Sequence, residues 1–174
     1  MEIEHSPQVQ RLIDGYHKLL HKTREVLAEL AEDAKPRIKT GIEMAGDRLA
    51  ELGELTREEG ERVGEYLKKD LVDAAKYIAE GERELADWAR LDLLILEEKL
   101  KDAFENMVDE TRMELDHMKQ YTDQVGEWHT GEITGPGTLQ CEKCGQEIHF
   151  HEPGHIPPCP KCHGAVYHRA HTTE

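Results

Sequence analysis

The chemistry-bearing residues of this chain lie near its end. Cys141-Glu142-Lys143-Cys144 and Cys159-Pro160-Lys161-Cys162 form two CxxC pairs with 14 residues between them. Two intervening residues let a tight turn aim both thiols of a pair at one ion, about 2.3 Å from each sulfur. Two such turns complete a four-sulfur set, the donor pattern of a zinc ribbon. The expected ligands are therefore Cys141, Cys144, Cys159 and Cys162, holding one Zn2+, with iron as the alternative ion. Four protein ligands leave no open position for water, so the site is expected to be structural rather than catalytic.

The elements around these cysteines follow from pattern. Gly145 follows the first pair and His163 the second, at the position where a knuckle turn needs positive φ. Gln146 to His151 alternates polar and apolar, which is strand periodicity with Ile148 and Phe150 facing in. Glu152-Pro153-Gly154 is turn chemistry. Leu139 and Val166-Tyr167 are placed to supply flanking strands. So short a segment has too few large apolar side chains for a core of its own, and metal binding is expected to drive its folding.

Composition changes sharply at Trp128. Residues 1–128 carry 19 basic and 32 acidic side chains, net −13, whereas residues 129–174 carry 3 and 5, net −2. All four cysteines and five of the seven prolines fall in the second part. Two domains are expected: an acidic helical region, 1–128, and a four-cysteine zinc ribbon, 129–174. In the first, Ser6-Pro7 is a helix start. Leu12, Tyr16, Leu19, Thr23, Val26 and Leu30 then recur at spacings of four and three, flanked by Ile13, Leu20 and Leu27. Pro36 interrupts the pattern. Ile38, Ile42, Ala45, Leu49 and Leu52 form a second stripe. Thr56 and Glu59 have capping-box spacing before a third, through Val63, Leu67, Leu71, Ala74 and Ile78. A break between Gly81 and Asp92 is expected, and Leu91–Leu96 is expected to be the most buried stretch. The fold class is mainly α: an antiparallel helical bundle or coiled-coil hairpin, then a small β zinc ribbon with rubredoxin-like knuckles. With its own leucine stripe, the helical part is expected to stand without the ribbon.

The run Trp128-His129-Thr130-Gly131-Glu132-Ile133, with Gly137-Thr138-Leu139 and the two cysteine pairs, resembles the YbeL-like zinc-ribbon family of bacterial proteins. The resemblance implies a long acidic helical region before a C-terminal ribbon and a bound zinc. It implies no particular biochemical activity.

Other readings compete for the function. A rubrerythrin-like iron redox protein would need a Glu-x-x-His motif on each of two helices. Glu114 and His117 provide one in the helical region; Glu2–His5 and Glu152–His155 lie at a terminus and in a turn. His17 and His21 share a helix face, but no acid or cysteine at the next turn completes a ligand set; His149 and His151 share a strand face and could take a second ion, or be plain surface residues. A nucleic-acid-binding ribbon would need clustered cations beside aromatics. Only Lys143, Lys161 and Arg169 follow Lys119, and the net charge of −15 repels phosphate. A transcription or translation accessory factor would use the acidic run Glu51–Glu61 as a helical tip; such a run is also an ordinary solvated turn. No apolar run approaches the roughly 20 residues of a membrane span. The expectation is a non-enzymatic, cytoplasmic zinc-ribbon protein, a protein-interaction or regulatory module. Its helices bind an unknown protein partner or self-associate, and direct nucleic-acid binding is disfavoured.

Overall fold

Helix α1 (Pro7–Leu30) begins where Ser6 caps it, the Val9 amide donating to Ser6 Oγ at 3.2 Å. The computed structural model describes residues 6–30, 38–79 and 126–170. Pro36, the break expected between Gly81 and Asp92, the Leu91–Leu96 stretch and the Glu114/His117 pair lie outside them. Leu12, Tyr16, Leu19, Leu20, Thr23, Val26 and Leu27 are buried along α1. Thr23 satisfies its hydroxyl on the Leu19 carbonyl at 2.7 Å, so a polar residue sits in this stripe without an orphaned donor.

Helix α2 (Ile38–Glu51) buries Ile38, Ile42, Ala45 and Leu49. It stops in a Schellman arrangement: the Glu54 amide reaches the Leu49 carbonyl and the Gly53 amide that of Ala50, both at 3.0 Å, with Gly53 at φ 69°. Leu52, assigned from its spacing to the α2 stripe, lies in that cap and is 64% exposed. Helix α3 (Arg57–Ala79) opens with the reciprocal capping box: Thr56 N donates to Glu59 Oε2 at 2.8 Å, and Glu59 N to Thr56 Oγ1 at 3.1 Å.

Contacts fix the helix directions. Residues in the first half of α1 meet the start of α3 (Arg11 with Glu59, Gly15 with Val63), while Leu27 meets Gly41 and Leu19 meets Gly46 on α2. Thus α2 runs antiparallel to α1 and α3, which run parallel to each other. One core joins them, centred on Tyr16, Leu19, Ile42, Ala45, Val63 and Leu67.

The ribbon is built from β1 (Glu127–His129), β3 (Gly137–Cys141), β4 (Glu147–Phe150) and β6 (Val166–Ala170), ordered β1-β6-β3-β4 and antiparallel throughout. A second ladder pairs β2 (Ile133–Thr134) with β5 (Gly154–His155). Trp128, Leu139, Ile156, Tyr167, Cys141 and Cys159 form its small core, with Ile148 and Phe150 packed against it. Trp128 pairs with Tyr167 across the β1–β6 ladder and so lies within the sheet, at the compositional boundary.

The packing joins the two parts. Ile133 of β2 is fully buried in the helical core, not in the ribbon core. Asp70 and Asp73 of α3 point into the ribbon. Asp70 accepts from the Tyr16 hydroxyl (2.6 Å), the Gly135 amide (2.8 Å), Thr134 Oγ1 (3.0 Å) and the Arg169 guanidinium. Asp73 accepts from Trp128 Nε1 at 2.6 Å and lies 3.6 Å from Arg169 Nε. Burial pushes both carboxyls above their ordinary values, against the pull of Arg169 and their hydrogen bonds. The ribbon and α3 are thus bonded through groups that neither part satisfies alone.

The capping box is the most local of these devices. Thr56→Ala should lower unfolding free energy by about 1 kcal/mol, measured by urea denaturation. The Glu59 carboxyl is held below its ordinary value by the Thr56 amide, opposed by desolvation. Its contribution is therefore present above the ordinary carboxylate pKa and fades as pH falls through the lowered one. The stability of wild type relative to Glu59→Gln should shrink over that window, because the amide's partner loses its charge only in the wild type.

Candidate metal centre

Cys141 is the last residue of β3, and Cys144 lies in the turn that follows it; Cys159 and Cys162 span a second turn just before β6. The two turns repeat one geometry. Gly145 N reaches the Cys141 carbonyl and His163 N the Cys159 carbonyl, each at 2.9 Å. Cys141 N reaches Gln146 O at 2.8 Å and Cys159 N reaches Gly164 O at 2.9 Å. Gly145 has φ 71°, and His163 has φ 56°, the only positive φ outside glycine among the described residues. Both positions match the turn requirement read from the spacing.

These turns bring the four sulfurs together. Cys141 Sγ and Cys162 Sγ are 3.6 Å apart, as are Cys144 Sγ and Cys159 Sγ, and all four lie within 4.8 Å of one another. A regular tetrahedron with metal–sulfur bonds of about 2.3 Å has edges of about 3.8 Å, so the spacing fits one ion. Cys141 and Cys159 are buried, and Cys144 and Cys162 half-buried. A side chain at Gly164 would place its Cβ 3.2 Å from two sulfurs, Cys141 and Cys162, so bare backbone closes the site there.

The electrostatics call for a cation. Burial pushes the Cys159 thiol up, but the amides of Cys162 and Lys161 and the neighbouring thiols bring it down to about 6. The Gly164 amide lowers Cys162, but burial and the three adjacent sulfurs push it up to about 12. One thiolate forms readily and the last is strongly opposed by its neighbours. A divalent ion replaces those protons and removes the repulsion. The same cluster, after burial, raises the Tyr167 hydroxyl to about 12. That hydroxyl donates to the Pro157 carbonyl at 2.9 Å, tying the sheet to the chain that enters the second turn.

Among the described residues the four cysteines are the only group that gathers three or more metal donors. His149 is exposed and its Nδ1 is 2.9 Å from Thr138 Oγ1; His151 is exposed beyond β4. His17 is exposed, and His21 Nε2 lies 3.2 Å from Glu25. Lys143 and Lys161 are exposed, but Arg169 turns inward to the α3 carboxylates and is removed from any basic surface. The acidic run at the α2–α3 turn is partly spent on the fold, Glu54 pairing with Lys18 at 3.2 Å and Glu59 capping α3. Asp70, Asp73 and Arg169 were not singled out by spacing. Their signal was faint: Asp70 sits in the core rhythm Val63, Leu67, Asp70, Ala74, where an acid needs a buried partner.

A small antiparallel sheet closed by two paired cysteine turns, mounted on a helical bundle, defines a four-cysteine ribbon protein placed to bind a metal ion. The chain belongs to the family described as the zinc-ribbon containing domain, whose model matches residues 10–171. It is similar to the "Uncharacterized protein YbeL" of Escherichia coli strain K12, 31% identical over 153 residues, covering 84% of this chain and 92% of that protein. The proteins of the same name from E. coli O6:H1 and O157:H7 match to the same extent. No solved structure matches. The family resemblance read from the cysteine runs and their approach segment is therefore shown.

Gly164→Ala should weaken metal binding about tenfold or more, because the new methyl presses on two ligand sulfurs, by analogy with the loss seen when groups supporting a metal shell are changed. His163→Gly should bind at least as tightly as wild type, since it relieves a left-handed residue costing about 1–2 kcal/mol. Competition with a chromophoric chelator measures both.

Proposed function

We propose that this is a non-enzymatic zinc-binding protein that acts as an interaction or regulatory module. Zinc in the ribbon sets the shape of the sheet, and the helices meet a protein partner or a second copy. The closed donor set carries this reading. Four thiolates with backbone packed at Gly164 fill a tetrahedral ion and leave it no position for a substrate or water. Zinc suits four thiolates at this spacing and has no redox chemistry of its own. A reducing cytoplasm keeps such thiols free for metal. No helix of the described residues is long and apolar enough to cross a membrane.

The partner side rests on sequence. Leu91, Leu93, Leu94, Ile95 and Leu96 make a stretch apolar on nearly every side, and such a helix needs neighbours all round. These residues lie outside those the structure describes. Protein purified without added metal should contain one equivalent of zinc per chain by elemental analysis. One equivalent of iron with peroxide turnover would instead establish a redox protein. Sedimentation should show a dimer or a captured partner that Leu94→Glu dissociates while helical circular dichroism persists. A strict monomer unaffected by that substitution would move the interaction to the ribbon.

A further inference from the structure

The contacts between ribbon and α3 give the metal site a reach beyond its own ligands. Arg169 lies on β6, where it pairs with Leu139 of β3, two residues before the ligand Cys141. Tyr167, two residues before Arg169, pairs with Cys141 itself. The position of Arg169 is thus set by the strand that ends in one metal ligand and by the strand that follows another. Gly137 makes room for it: a Cβ there would fall 2.6 Å from Arg169 Nη1.

At its far end the guanidinium meets Asp70 and Asp73, and donates to Thr134 Oγ1 at 2.8 Å. The other ribbon donors to these acids are Trp128 Nε1, the Gly135 amide and Thr134 Oγ1. On the helical side, the Tyr16 hydroxyl is the hydrogen-bond donor that the described residues supply to Asp70. Lys69 extends the contact, 2.7 Å from Glu132 and 4.5 Å from the centre of the Trp128 ring. With the ribbon withdrawn, α3 would hold two acids three residues apart without their counter-charge. With α3 withdrawn, the ribbon would hold an inward-facing arginine and a tryptophan N–H without acceptors.

We propose that Asp70, Asp73 and Arg169 form a clamp through which occupancy of the four-cysteine site is coupled to the stability of the helices, each strengthening the other. The proposal rests on the reading of the cysteines as a zinc site. Its consequence is reciprocal by linkage. Metal loss must loosen α3, and substitutions in α3 that touch no ligand must weaken the metal. Asp70 and Asp73 are positioning residues in this scheme, acting through Arg169 and β6.

The test uses the full chain and Zn2+ itself. Zinc content is measured first, then zinc affinity by chelator competition for wild type, Asp73→Asn, Arg169→Gln and the double variant. Asp73→Asn can keep one oxygen as acceptor for Trp128 while it removes the charge and replaces the other oxygen by an NH2 group. Each single substitution should weaken zinc binding by about tenfold or more, and the double variant should lose less than the product of the two. Hydrogen exchange of the wild type provides an arm that needs no substitution: stripping zinc should lower protection of α3 amides between Val63 and Asp73 by a similar factor. Folded variants with wild-type zinc affinity would overturn the clamp, as would α3 protection unchanged on stripping. If the variants do not fold, the exchange arm decides alone. A wild-type chain that loads no zinc would overturn both the zinc reading and the clamp.

Discussion

Four sulfurs within 4.8 Å of one another cannot all carry charge unless a cation sits among them. That constraint organises the ribbon, residues 126–170. It explains the two turns with their positive φ at Gly145 and His163, the bare backbone at Gly164, and the amides directed at Cys159 and Cys162. It also explains how a sheet with so small an apolar core holds its shape. Two of the residues in that core are themselves candidate ligands, Cys141 and Cys159, so an ion bound there would be held by buried side chains.

Much of this was legible in the chain. The cysteine spacing is a local covalent constraint, and it located all four sulfurs of the cluster. The helical rhythm located Leu12, Tyr16, Leu19, Ile42 and Leu67 because a buried stripe repeats with the helix. Thr56 and Glu59 were legible because a capping box is complete within four residues. Leu52 was misjudged because periodicity does not see where a helix ends. The Gly53 cap turns the chain and leaves Leu52 in solvent.

The join between ribbon and helices was not legible, and the reason is distance along the chain. Arg169 and Asp70 are 99 positions apart, and Trp128 and Asp73 are 55 apart. Neither pair leaves a local pattern. Asp70 falls in the buried rhythm of α3 but is one acid among 37, and Arg169 is one of only three cations after Lys119. Only the folded arrangement shows that these residues answer each other. Ile133 carries the same lesson: its sequence neighbours are ribbon, but its side chain completes the helical core.

A charged join has a physical rationale that an apolar one lacks. Buried ion pairs add little net stability, because desolvation offsets their attraction. Hydrogen bonds and guanidinium–carboxylate contacts are directional, however, whereas apolar contact is not. Ile133 supplies the described apolar anchor from ribbon to bundle core, and a single side chain leaves rotation about itself unspecified. Bonds from Trp128 on β1, Gly135 beyond β2 and Arg169 on β6 reach α3 from three separate parts of the ribbon. Three such points fix an orientation. Because β1, β6 and β3 lie side by side in one sheet and β3 ends in Cys141, the same order that gathers the cysteines brings Trp128 and Arg169 to α3 together.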